Sequence, residues 1–296
     1  MKVIVTGGCG FIGSNLVDKL IDMGYDVSVI DDESATAHEH FYYNKKARYY
    51  KYDICDYVDV RPLFENVQYV FHLAAESRIQ PTLENPIGAV KTNTLGTATI
   101  LQCAKESGVK RVMYSSTSSA YGLKNTPPLS ENMIEDCLNP YSVSKVAGEK
   151  LCKMYTELFG LETISFRYFN VYGPREPRRG QYAPVIGLFL RQKLANESLT
   201  IVGDGTQKRD FTHVNDVVAA NILCMTAGEP GSLYNVGTGT NHSVIELANM
   251  ISTDISFIPA RPGEAKESLA NNDRLMGLGW SPTIKLEDYI KEQLNG

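Results

Sequence analysis

The chain has 296 residues, of which 43% are hydrophobic and 21% charged, close to the soluble globular average. That composition excludes a disordered or collagen-like chain, and a chain of this size buries roughly 75% of its unfolded surface, a core that needs neither disulfides nor metal. A net charge of −5 argues against nucleic acid or an anionic membrane as the main partner, and no apolar run reaches the ~18 residues of a membrane span.

The first element is an apolar strand, Lys2–Thr6. Residues 3–5 are cut off by Thr6-Gly7-Gly8, which is not the pattern of a signal peptide. The loop Gly7-Gly8-Cys9-Gly10-Phe11-Ile12-Gly13 then opens a helical pattern over residues 11–23. Glycines at 7, 10 and 13 allow a tight turn, close backbone approach to a pyrophosphate and close packing of helix on strand. The N–H groups and dipole of the helix favour the phosphate charge. Strand, glycine loop and helix in this order predict a dinucleotide site contacted by Gly7, Gly10, Phe11, Ile12 and Gly13. A second strand, Asp26–Ile30, ends at Asp31, about 20 residues on, where a carboxylate accepts from a ribose 2′-OH. Asp31, Asp32 and Glu33 repel a 2′-phosphate, so the expected cofactor is NAD rather than NADP.

His38-Glu39-His40 lies in a polar loop without further ligands and predicts no metal site. Residues 42–52 interleave bases with aromatics, as a single-strand nucleic-acid platform does. The run is short, the chain is acidic, and residues 47–52 read as the third strand, so no nucleic-acid partner is expected. Next come Asp53-Ile54, a helical segment at 60–65, a strand at 68–73 containing His72, and a helical pattern over 85–107. A buried strand at 111–115 runs into the hydroxyl-rich Ser115-Ser116-Thr117, at the edge where open α/β sheets bind ligands. The helix Pro140–Phe159 starts with Asn139 as cap and Pro140 at its first position. Tyr141 and Lys145, four apart, share one face. Val143, Ala147, Leu151, Met154 and Leu158 form another stripe, expected to bury the helix. A free tyrosine titrates near pH ~10; a lysine alongside and a positive nicotinamide ring favour its phenolate.

The strand Glu162–Tyr168 completes the alternation, which predicts a doubly wound parallel sheet of Rossmann type with helices on both faces. After Tyr168 the texture changes. Residues 1–169 are expected to bind NAD and residues 170–296 to form a smaller substrate-binding region, with a helix at 211–225 packing back on the sheet. The six cysteines are scattered without a Cys-x-x-Cys pair, which predicts buried free thiols in a reducing, cytoplasmic compartment. His72 and His213 are expected to hydrogen-bond locally.

The glycine loop, the hydroxyl loop and Tyr141-Ser142-Val143-Ser144-Lys145 together resemble the extended short-chain dehydrogenase/reductase superfamily, in its nucleotide-sugar epimerase and dehydratase branch. The resemblance runs along nearly the whole chain. It implies a catalytic set of Thr117, which stands five before Gly122 of Ala120-Tyr121-Gly122, with Tyr141 and Lys145. It implies adenine contacts from Asp53-Ile54 and a floor under the cofactor from Leu73-Ala74-Ala75. Asn93, Ser115 and Tyr168 are implied as further cofactor contacts. Phe169-Asn170-Val171-Tyr172-Gly173-Pro174-Arg175 is similar to the family's domain-junction motif, whose asparagine, here Asn170, contacts the substrate diphosphate. Arg209, and Arg261 of Arg261-Pro262-Gly263-Glu264, match its phosphate-contacting arginines.

Ser268, seven past Arg261, stands where a tyrosine restricts the pocket of 4-epimerases to plain hexoses, which implies tolerance of N-acetylhexosamines. The following Ala270-Asn271 departs from the usual Ala-Asp. Dehydratases of this branch carry Asp-Glu directly after the catalytic threonine, where this chain has Ser118-Ser119, and the glutamate of the decarboxylases is missing too. The implied activity is an NAD-dependent 4-epimerase of UDP-hexoses or UDP-N-acetylhexosamines, working through a 4-keto sugar. A 4,6-dehydratase or reductase, and a non-catalytic NAD-binding regulator, are the alternatives. A homodimer through helices near 89–107 and 143–159 is also implied.

Overall fold

The computed structural model describes residues 1–35, 38–178, 183–259 and 265–295. Its centre is a parallel seven-stranded sheet. Six of its strands are β1 (Lys2–Thr6), β2 (Asp26–Ile30), β3 (Arg48–Tyr50), β4 (Val67–His72), β5 (Arg111–Thr117) and β6 (Glu162–Tyr168). The seventh, Ser232–Val236, lies outside β6, and the spatial order runs from it through β6, β5, β4, β1 and β2 to β3. Successive residues of β1 face opposite cores: Val3 and Val5 pack with Leu16, Val29 and Phe71, whereas Ile4 packs with Ile30, Val70 and Ile100. Both faces are therefore covered, and the strands read as unbroken apolar runs. The chain leaves β1 towards β2 and β3, then returns to its other side with β4. Such a switch point opens a crevice at the carboxyl ends of β1 and β4.

β1, β2, β6 and the helix Pro140–Phe159 keep the bounds that the sequence predicts. Segment 85–107 differs. It divides into Pro86–Val90, a π-helical turn Lys91–Gly96, and Thr97–Glu106. The wide turn carries Asn93 inward, where its side chain clamps the backbone of Glu76 on both sides, at 2.8 and 3.0 Å, and donates to Ser144 Oγ at 2.9 Å. The helix expected at 211–225 covers Val214–Leu223, because Thr212–His213 pairs as a short strand with Val171–Tyr172 and His213 Nδ1 caps the helix at Asn215. It packs on the helix Phe11–Asp22. The strand Ser232–Val236 carries no local signal, since its partner β6 is distant in sequence. A third apolar cluster, containing Tyr172, Phe189, Ile201, Leu247 and Ile290, holds the C-terminal elements together. All six thiols are free, and four of them are buried. Among the described residues no helix is long and apolar enough to cross a membrane, and no cluster of metal-ligating side chains occurs.

The apolar stripe of the helix Pro140–Phe159 buries it only in part: Leu151 and Met154 pack on the core, but its two ends do not. Val143 and Leu158 are 50% and 69% exposed, while Ser144, Lys145, Gly148, Glu149 and Cys152 face the sheet. The reason is polar complementarity that apolar periodicity does not register. The Tyr114 hydroxyl occupies the space above Gly148 and donates to Lys145 O at 3.1 Å. Glu149 receives two bonds from Arg167 of β6, at 2.9 and 2.7 Å, and one from Ser116 of β5. Arg167 is 1% exposed and stacks over the Tyr121 ring at 4.6 Å. Removing one member of a buried pair leaves an uncompensated charge, which costs about 3–5 kcal/mol. Glu149→Ala is therefore expected to lower unfolding free energy by about that amount in urea denaturation. A loss below about 1 kcal/mol would place the pair in the class of exposed ion pairs.

Candidate active site

A cavity of about 730 Å³ opens at the carboxyl edge of the sheet, running from the glycine loop past Thr117 and Tyr141 to Asn170 and Arg209. Its floor is backbone against backbone. Gly7 has φ +70°, and a Cβ there would stand 2.7 Å from Ala74 N; a Cβ on Gly13 would stand 2.1 Å from Gly7 O. No side chain caps the helix Phe11–Asp22, whose first turn starts at Gly10, so its leading N–H groups face the cavity mouth without an internal competitor. This cradle fits a dinucleotide pyrophosphate, as a loop filled by side chains would not.

Asp31 is tied into the same loop. Oδ2 accepts from Cys9 N and Oδ1 from Glu33 N, both at 2.9 Å, while burial pushes its pKa up. Asp32 lines the cavity beside it. Asp53 accepts from Cys55 N and pairs with Lys91 at 2.8 Å, and Ile54 contributes apolar wall. Leu73, Ala74 and Ala75 lie beneath, bound to β1 through Thr6. His72 bridges Thr6 at 2.7 Å and Thr97 at 2.9 Å, and burial depresses its pKa to about 3. It is a neutral linker between strand and helix.

Thr117 ends β5. Its Oγ1 accepts from Ser119 N at 3.1 Å, and it lies beside the Tyr141 phenol, whose ionisation it favours. Tyr141 sits in the first helical turn, held by a capping box in which Ser142 N donates to Asn139 Oδ1 at 2.9 Å. Burial raises the Tyr141 pKa, while the Thr117 hydroxyl and the charge of Arg78 oppose that rise. Lys145 lies one turn on, with Nζ 4.5 Å from the Tyr114 ring centroid, and burial lowers its pKa to about 8. Arg78, in the loop after β4, lines the same cavity, and its charge also favours the phenolate. No motif had singled that arginine out, and its place in the loop after β4 is the only hint the sequence carries.

Ser115 and Tyr168 form one wall, joined at 3.0 Å, with Asn221 donating to the Tyr168 hydroxyl at 2.8 Å. Asn170 reaches Asp210 O at 2.8 Å and Ser268 Oγ at 3.2 Å. Arg209 lines the same end. Ser118 and Ser119 line the cavity directly after Thr117. The residues read from the sequence thus converge on one cavity, with three departures. Asn93 stands behind the wall, clamping Glu76 and Ser144. Ser268 also stands behind it, bonded to Asn170. Arg261 lies outside the described residues.

The family model described as the NAD dependent epimerase/dehydratase family matches residues 3–237. The chain belongs to this family. A "Putative UDP-glucose 4-epimerase" of Methanocaldococcus jannaschii is 37% identical over 301 residues, covering 99% of this chain and 97% of that protein. The structure of a Thermotoga maritima UDP-glucose 4-epimerase with UDP-glucose superposes with a TM-score of 0.94 at 34% identity, covering 100% of this chain and 98% of that one. A UDP-N-acetylglucosamine 4-epimerase of Methanobrevibacter ruminantium, in complex with UDP-N-acetylmuramic acid, gives 0.93 at 33%, covering 99% and 97%. Decarboxylases and a 4,6-dehydratase also stand among the relatives, so the shared fold defines an NAD-dependent epimerase/dehydratase enzyme and leaves the reaction to be argued from the site.

The cradle yields a direct test of cofactor binding in this family member. Gly13→Ala, whose new methyl collides with Gly7 O, is expected to weaken NAD binding by more than about tenfold, or about 1.4 kcal/mol, in titration calorimetry.

Proposed function

We propose that the protein is an NAD-dependent 4-epimerase of UDP-sugars. The observation that carries this reading is the placement of Thr117 beside Tyr141 in the cavity, with the glycine cradle and Arg209, followed by two serines where elimination and decarboxylation need carboxylates. Neither Ser118 nor Ser119 exchanges a proton near neutral pH, so the site has the groups for oxidation and reduction at C4 and none of the paired acid and base for expelling a 6-hydroxyl.

Gly7, Gly10, Gly13 and Asp31 would hold NAD, which when bound supplies the oxidant that takes the C4 hydride and returns it. Tyr141, as phenolate, accepts the proton of the 4-hydroxyl while the C4–H bond breaks. Thr117 hydrogen-bonds the same oxygen and keeps it in line with the phenol. Lys145 holds the nicotinamide ribose. Asn170 and Arg209 anchor the diphosphate; the guanidinium suits this because it stays charged and presents a planar fork of donors. With the nucleotide fixed, the 4-keto sugar turns over in the pocket, the hydride returns to its other face, and Tyr141 gives the proton back to the 4-oxygen.

Ser268 supports acceptance of N-acetylhexosamines. Its hydroxyl is 3.2 Å from Asn170, so a larger side chain there meets the asparagine that lines the cavity. The exposed Val90, Leu95, Val143 and Leu158 give the helices around residues 86–106 and 140–159 an apolar outer surface, which supports a homodimer. Six free thiols support a cytoplasmic setting.

NMR of the enzyme with UDP-glucose, UDP-N-acetylglucosamine and UDP-glucuronate is expected to show C4 epimers without net consumption of NAD. A 4-keto-6-deoxy product or release of carbon dioxide would overturn the reading. Tyr141→Phe should lose about 10²–10⁴-fold in turnover while still binding NAD. Ser268→Tyr should abolish turnover of the N-acetylhexosamine and spare the plain hexose; equal loss of both would remove Ser268 from substrate selection.

A further inference from the structure

His38 stands seven residues past Asp31, in a segment whose sequence reads only as a polar loop, yet it lines the cavity. Its ring lies over the glycine cradle. Nε2 is 3.4 Å and Cε1 4.0 Å from the position that a Cβ on Gly10 would take, and no other side chain stands as near that point. Gly10 immediately precedes the helix Phe11–Asp22, so the imidazole stands at the uncapped end of that helix. The segment is tied down around it. Tyr42 N donates to Cys9 O at 3.1 Å and Asn44 Nδ2 to Asp18 Oδ1 at 2.7 Å, while Phe41 packs on the core with its ring centroid 6.3 Å from that of His38. Cradle and imidazole are parts of one anchored unit.

Two features of this histidine have no use in packing. It is half-buried, and among the described residues nothing hydrogen-bonds its ring nitrogens, although its backbone N–H closes a turn on Ala35 O at 3.2 Å. Its electrostatic surroundings also oppose a resting imidazolium. The titratable groups around it are Cys9 in the glycine loop, Asp31 and Asp32 at the end of β2, Glu76 and Arg78 after β4, and Glu39, His40 and Tyr42 in its own loop. Burial, and after it the charge of Arg78, hold its pKa below the ordinary histidine value. An anion placed against the ring relieves both the missing hydrogen bond and the repulsion between two basic groups lining one cavity. The cradle beneath it is shaped for an anion.

We propose that His38 is a cofactor-binding residue, which donates a charge-assisted hydrogen bond from Nε2 to the NAD diphosphate over Gly10. The glycine motif supplies backbone donors there, and His38 adds the side chain that neutralises charge. Binding then takes up a proton. An anion against the ring raises the histidine pKa, so the gain in affinity is complete below the pKa of the free protein and is lost as pH rises through that of the complex. The inference rests on NAD as the cofactor and holds whichever sugar is turned over.

The test is titration calorimetry of the full chain, freed of nucleotide, with NAD and with ADP-ribose, which keeps the diphosphate and lacks the nicotinamide. Wild-type affinity for both is expected to be about threefold or more tighter at pH 6 than at pH 8, with a binding heat that varies with buffer ionisation enthalpy because a proton is taken up. His38→Ala should weaken both ligands by about tenfold at pH 6 and abolish the pH dependence. His38→Gln, a neutral donor, should recover part of the affinity and none of the pH dependence. Circular dichroism and thermal melting establish that each variant is folded. Unchanged or tighter NAD binding in folded His38→Ala overturns the proposal. So does a loss confined to NAD, or a loss that leaves the pH dependence intact, which would make the ring a packing element.

Discussion

The site depends first on one buried ion pair. Glu149 and Arg167 join the helix Pro140–Phe159 to β6, and Ser116 adds β5 to the same carboxylate. Glu149 lies one turn beyond Lys145, which lies one turn beyond Tyr141, so the pair fixes the rotation of the helix about its axis. Rotation by a single residue would carry Tyr141 out of the cavity and away from Thr117. Apolar packing alone would set this angle loosely, because the sheet-facing side of the helix offers Ser144, Gly148 and Cys152 rather than large hydrophobes. Hydrogen bonds are directional, and here they do the aligning.

The same division of labour explains which features were legible in the sequence. The glycine loop was legible because its residues are constrained by sterics within a few positions: Gly13 must clear Gly7, and Gly7 must clear Ala74. The helix bearing Tyr141 was legible from its cap, Asn139-Pro140. The face it buries was not, since Val143 and Leu158 look like core and the buried residues look polar. Nor was Ser232–Val236, whose place beside β6 comes from a pairing across a long stretch of chain.

Electrostatics in the cavity run against the ionised forms that its chemistry requires. Burial raises Tyr141 and Asp31 and lowers Lys145 and His72. Each departure from neutrality is then answered locally: Asp31 by two backbone N–H groups, Tyr141 by Thr117 and Arg78. His72 receives no such help and stays uncharged, which suits a residue that only links β4 to β1 and to the helix Thr97–Glu106. Desolvation and its local compensation thus sort the polar residues of the site into those that carry charge and those that hold position.

The strand Ser232–Val236 has a consequence for synthesis of the chain on the ribosome. β6 is complete when Tyr168 emerges, but the strand that covers its outer side follows only after the whole Asn170–Arg209 half of the cavity has been made. During that interval β6, with Ile164 and Phe166, presents an unpaired edge, and such edges are templates for pairing with other chains. A fragment ending near residue 170 would keep that edge permanently bare. The late strand therefore works as a covalent guard against aggregation, delivered by the part of the chain that also shapes the pocket.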